Sequence, residues 1–193
     1  MTTTAPLSVQ LYTVRRELAA DPAGTLERLG AIGFSTVELF ALVDFAEVYS
    51  ELSTFGLAPS SAHASLVDAD VVPVFEAARA VGVTTVIQSF TDPSRWKNGD
   101  DIAAIAAELN RVAAIAADIG ITVGYHNHAW ELQSRVDGTT GLEVLADLLD
   151  PDYVRDPQVI VALKEPLSRM YSVLGAVKKP GQFEIIGPVT LVS

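Results

Sequence analysis

The sequence predicts an α/β fold: a partial (β/α) barrel-like parallel sheet of about five βα units, followed by a short β-rich C-terminal segment. Three observations carry this reading. Short β-branched apolar runs alternate with segments of helical period through residues 7–149, and most helical segments close on glycine. The links between helix and next strand are tight, as in "IGFSTVEL", "VGVTTVI" and "IGITVGY". Polar residues gather where the strands end: Gln10, Tyr12, Glu38, His63, Gln88, His126 and His128. A barrel places its active site at that end, whereas an open doubly wound sheet that binds nucleotides would show a Gly-x-Gly-x-x-Gly or Walker loop, and none follows any strand.

The elements follow in order. "LSVQLY" (7–12) reads as the first strand. Asp-Pro then opens a helix with Leu26, Leu29 and Ile32 on one face and Gly33 as its C-cap. A strand over 35–40 leads to a helix over 44–56, closed by Gly56. The pattern repeats with a strand at 58–66, a helix at 71–82 and a strand at 83–90. A long alanine-rich helix follows over 99–119, ending at Gly120. The fifth strand covers 121–126, and Thr140 is placed to cap a helix over 141–149. Beyond Asp152 the helical period stops. Short β-rich runs at 158–163, 170–177, 182–186 and 189–192 are broken by Lys-Pro-Gly and Gly-Pro turn signals. The expected division is therefore 1–152 and 153–193.

Charge supports that division. The chain of 193 residues has a net charge of −11. Residues 1–152 hold 8 Lys+Arg against 21 Asp+Glu, and residues 153–193 hold 5 against 3. So acidic a chain is not expected to bind nucleic acid. No apolar run reaches the ~20 residues of a bilayer span, so no membrane association is expected. The opening "MTTTAPLSVQLYTV" lacks a basic region before an apolar core, and a cytoplasmic location is the expectation. With no cysteine, disulfides and thiolate metal sites are excluded.

Chemistry concentrates in "ITVGYHNHAWEL" (121–132), which holds two of the three histidines. On a strand His126 and His128 point the same way, above Gly124 and Thr122, with Tyr125 and Asn127 on the other side. Neutral imidazole serves either as a metal ligand or as a general base near neutral pH. Glu38 is read as a substrate contact or as the partner of Arg15 or Arg16. His63, in "SAHASL", is expected to line the same mouth, with Tyr12 as a further contact. Trp96 and Trp130 are candidates to wall a sugar site, or simply to pack.

The stretches "VQLYTVRREL", "TLERLGAIGFSTVEL", "SAHASL" and "GYHNHAWEL…DGTTGLEVLADLLDPD" resemble the sugar phosphate isomerase/epimerase family, the xylose-isomerase-like TIM barrels, over residues 7–152. That resemblance implies a divalent metal (Mn, Co, Mg or Zn) and proton transfer between neighbouring carbons of a sugar or polyol. It matches Glu131 to the family's strand-five metal carboxylate. It makes His126 and His128 catalytic, and Glu38, His63, Trp130 and Tyr12 substrate contacts. The family's further ligands, an Asp, a His and a Glu on strands six to eight, have no recognisable counterpart here. A complete barrel takes ~250 residues, and at least about 200. Residues 153–193, with "RDPQVIV" and "GAVKKPG", resemble a β-grasp fragment of polysaccharide-export proteins, which implies a chimera. Two functions are thus in competition. One is a sugar isomerase/epimerase-like protein with an incomplete catalytic set; the other is a non-catalytic recombined fold that retains a vestigial site. A carbohydrate-binding module is the weaker third. An unclosed sheet with an apolar interior face also leads to the expectation of a homo-oligomer.

Overall fold

The computed structural model describes residues 8–150. The strands β1 (Ser8–Gln10), β2 (Thr36–Phe40), β3 (Ala58–Ala64), β4 (Thr85–Gln88) and β5 (Thr122–Tyr125) form one parallel sheet in sequential order. Each is joined to the next through helix: α1 (Arg15–Ala20) and α2 (Pro22–Ile32), then α3 (Ala46–Tyr49), α4 (Val72–Ala80) and α5 (Gly99–Ala117). After β5 come α6 (Ala129–Gln133), a hairpin of β6 (Arg135–Val136) and β7 (Thr139–Thr140), and α7 (Gly141–Leu148). The expected partial barrel of five βα units is present. The expected β runs beyond residue 157 and the resemblance to export proteins lie outside the described residues.

Local chemistry sets the helix ends. Asp21 accepts the Gly24 N–H at 3.0 Å ahead of Pro22, and α2 stops at Gly33, whose φ of 107° suits a residue without Cβ. Asn98 accepts the Asp101 N–H at 2.9 Å, while Asp100 and Asp101 sit where the positive end of the α5 dipole favours carboxylates. From there Ile102, Ile105, Ala106, Leu109, Val112, Ala113 and Ala116 give α5 a buried stripe at three- and four-residue spacing. Thr140 caps α7 as expected, in a reciprocal pair with Glu143 whose carboxyl these bonds hold below its usual range.

Three expectations need correction. Leu11 and Tyr12 are not strand: a 3-10 turn begins at Leu11. The helix expected over 44–56 breaks into α3 and a 3-10 turn, Leu52–Phe55. There the hydroxyls of Ser50 and Thr54 bond back to the Glu47 and Glu51 carbonyls, competing with helical pairing. The strand expected through His126 ends at Tyr125, and His128 is the N-cap of α6.

The two sheet faces differ. Val37, Leu39, Ala62, Val86 and Val123 belong to the buried apolar core. The alternate residues, facing the barrel interior, are Ser8, Gln10, Thr36, Glu38, Phe40, Ala58, Ser61, His63, Thr85, Ile87, Thr122 and Gly124. The interior face is therefore mixed, with polar side chains beside Phe40 and Ile87, where an apolar face was expected.

Candidate active site

The interior face reaches its chemistry through a one-residue irregularity. Val37 pairs with Pro59, but Glu38 pairs with Ser61, so Ser60 is an extra residue in β3. Its hydroxyl bonds the Val37 carbonyl at 3.2 Å. Without the bulge, Glu38 would face Ser60 and His63 would turn to the opposite side of the sheet. With it, His63 stands beside Phe40 and shares a face with Glu38.

The consequence is a buried pair: His63 Nε2 lies 3.1 Å from Glu38 Oε2, with the side chains 5% and 1% exposed. With Glu38 ionised, Nε2 donates, which fixes the imidazole tautomer and orientation. The pair replaces the alternative of Glu38 bonding Arg15 or Arg16. Arg15 instead lies over the Tyr12 ring, 4.3 Å from its centroid, and donates to the Tyr12 carbonyl.

The His126 ring meets the His63 ring edge-on at 5.4 Å and the His128 ring at 4.9 Å between centroids. Although the strand ends before them, the two histidines remain on one side. Burial is the main cause that lowers the His126 pKa to about 4, and the neighbouring His63 and His128 add to it. His126 is thus neutral at physiological pH, a weak base but an effective hydrogen-bonding imidazole. Because its folded pKa lies below the unfolded value near 6.5, its contribution to stability is fully present above pH 6.5. That contribution is lost as pH falls from there through 4. The expected loss is on the order of 2 kcal/mol, less than full linkage because the ring borders an open cavity. Urea unfolding at pH 7 and pH 4.5 checks this, with His126→Gln expected to show the shallower decline.

His63, His126 and His128 line one cavity of about 620 Å³ at the C-terminal ends of the strands, together with Gln10, Tyr12 and Phe40. That volume suits a small organic ligand. Of the expected substrate contacts, Tyr12 and His63 line it directly, and Glu38 stands behind His63. Trp130 does not reach the lining. It stacks on His128 at 4.2 Å with the planes 9° apart, and Phe90 meets both rings edge-on. Trp96 is no wall either; it is 3% exposed and donates its indole N–H to Thr91 Oγ1 at 2.9 Å.

Glu131 needs the largest correction. Tyr125 points to the helix-facing side of β5, opposite to Gly124, and Glu131 follows it. Fully buried, Glu131 accepts from the Tyr125 hydroxyl at 3.0 Å and from the His128 N–H at 2.7 Å. Thr91 in turn bonds the Tyr125 hydroxyl at 2.6 Å. Burial, then the Glu131 charge, pushes the Tyr125 pKa up, so the phenol keeps its proton and acts as donor. Glu131 is therefore the closing group of a capping box, with both oxygens engaged, and does not line the cavity. Among the described residues no three His, Asp or Glu side chains are grouped to hold a metal ion. The described residues do not fit the divalent metal that the resemblance implies.

Sequence reading placed Gln10 at a strand end near the expected mouth but gave it no role, and it lines the cavity. It is 3% exposed, and its Oε1 has no hydrogen-bond partner. Gln88, also at a strand end, serves the backbone: its Oε1 accepts from Leu66 N and Val67 N at 2.6 and 3.0 Å, shaping the loop after β3.

No family model matches the sequence, and no curated protein matches it in sequence. Solved structures match in fold. A sugar phosphate isomerase/epimerase from Parabacteroides distasonis is 21% identical with a TM-score of 0.68, over 90% of this chain and 73% of that one. An AP endonuclease of family 2 from Brucella melitensis is 12% identical with a TM-score of 0.57, over 92% and 91%. The probable 3-DHS dehydratase AsbF of Bacillus anthracis, involved in petrobactin synthesis, is 13% identical with a TM-score of 0.57, over 89% and 70%. At such identities the likeness shows a shared partial-barrel α/β fold alone. Three different activities on that fold leave the chemistry to the site. Among the described residues no helix is long and apolar enough to cross a membrane.

Proposed function

We propose that this chain binds a sugar or polyol in the cavity at the strand ends and moves a proton on it, as an isomerase or epimerase does. The observation that carries the reading is the buried His63–Glu38 pair bordering the same cavity as the neutral His126. In this scheme His63, held by Glu38, takes the proton from a carbon next to the ligand carbonyl. The C–H electron pair moves toward that carbonyl, and its oxygen becomes an enediolate oxygen. His126, neutral, donates its N–H to the developing charge. Return of the proton to the neighbouring carbon, with the hydroxyl proton passing to the former carbonyl oxygen, isomerises the ligand; delivery of a proton from water to the opposite face of the same carbon epimerises it. The aromatic edges of Tyr12 and Phe40, 5.6 Å apart and perpendicular, supply an apolar wall.

The test is deuterium wash-in, followed by NMR, for a panel of free ketoses in D₂O. The expected result is exchange next to the carbonyl, slowed by at least about 100-fold in His63→Gln. Ligand binding without exchange in the wild type would sink the catalytic reading.

A second reading has its own support. With Glu131 engaged and no metal group among the described residues, the cavity equally suits a non-catalytic carbohydrate-binding scaffold. Binding without exchange is its signature. The homo-oligomer remains a proposal that rests on β1 and β5 being unpaired edges among the described residues, and a monomer in sedimentation velocity would remove it.

A further inference from the structure

The polarity of the cavity says which sugars it accepts. Among the described residues its lining holds no lysine or arginine. It does hold two exposed carboxylates, Asp44 and Asp70. Asp70 also accepts the Val72 N–H at 3.1 Å, which fixes it at the start of α4. Beside the wall residue Tyr12, Arg15 is already engaged with the Tyr12 ring and carbonyl. A phosphate group carries close to two negative charges and only accepts hydrogen bonds, so it needs cations or converging N–H groups. This lining offers it repulsion instead.

Gln10 adds an independent observation. It lies in the wall, next to Glu38 across the β1–β2 register, and its buried Oε1 has no partner. An unpaired buried carbonyl oxygen is an acceptor waiting for a donor. A ligand hydroxyl supplies one; a phosphate oxygen does not.

Resting on the sugar-binding reading above, we infer that the cavity selects neutral, unphosphorylated sugars or polyols over sugar phosphates, with Gln10 as a specificity residue that accepts a ligand hydroxyl.

Calorimetric titration of the full chain with matched pairs tests this: D-fructose against D-fructose 6-phosphate, and D-xylulose against D-xylulose 5-phosphate. The expected result is at least tenfold tighter binding of a neutral member over its phosphate, a gap that narrows in the double variant Asp44→Asn with Asp70→Asn. Gln10→Leu is expected to weaken neutral-sugar binding about tenfold while leaving the melting temperature equal or higher, because a buried orphan acceptor is removed. A residue with a purely structural role would instead lower the melting temperature and leave affinity alone. Equal or tighter binding of the phosphate would overturn the inference and leave the sugar-site reading intact. No binding of any member would overturn both.

Discussion

Replacing Glu131 by alanine is expected to lower the unfolding free energy by about 2–4 kcal/mol, the cost of leaving two buried donors without an acceptor plus lost packing. The donors are the Tyr125 hydroxyl and the His128 N–H, and Glu131 is their shared partner. The loss extends along the chain of bonds, since Tyr125 also bonds Thr91, which receives the Trp96 indole N–H. Glu131→Gln keeps the side-chain shape and one acceptor oxygen, and should cost roughly half as much. Urea unfolding reads both variants as midpoint shifts at constant slope. This outcome separates the two roles open to Glu131. A carboxylate kept for a metal would leave metal-free stability nearly unchanged when removed, so a loss below about 1 kcal/mol would contradict the buried-acceptor account.

Gly30→Ala is the second large effect. A Cβ on Gly30 would stand 2.3 Å from the Phe55 carbonyl oxygen, a backbone atom that cannot rotate away. Here α2 crosses the turn after α3 at a distance only glycine allows, between the buried Leu29 and Leu52. Adding one methyl group must push α2 away from the core, at an expected cost of about 3 kcal/mol, despite alanine's better helix propensity. The comparison is Ile32→Ala, two residues on and 72% exposed, which should change stability by no more than about 0.5 kcal/mol. A thermal melt of Gly30→Ala that matches the wild type would show that the two segments are not held at this spacing.

The features that the sequence disclosed are those with local causes. Gly33, Gly56 and Gly120 end their elements with positive φ, as the punctuation suggested, and Thr140 caps its helix. The alternation of strand and helix gave the order of the five strands because each crossover is written in contiguous residues. The hairpin of β6 and β7 has no place in the sequence reading, although Asp137-Gly138 is a strong turn signal, because two-residue strands are too short to show a period.

What stayed hidden depends on register or on distant partners. His63 and Glu38 are 25 residues apart, and only the extra Ser60 turns them to one face; a one-residue slip leaves no mark on composition. The fate of Glu131 turned on one residue as well. Treating residues 121–126 as strand predicted the common side of His126 and His128, but not that the chain would bend at His128 into α6 and carry Glu131 behind the sheet. Likewise, Gln10 and Gln88 look alike as glutamines at strand ends, while one satisfies a loop and the other faces the cavity without a partner.

The central claim is that His63 and His126 border the ligand site, the first held by Glu38 and the second neutral. The chain has three histidines, so ring-labelled protein should give three assignable imidazole signals. The most direct measurement is their NMR titration with pH, without and with saturating free ketose. His126 is expected to stay neutral down to about pH 4, His63 to be a single tautomer protonated at Nε2, and both signals to move when ketose binds. Ketose binding that leaves both rings unmoved, or a His126 that titrates near 6.5, would contradict that claim.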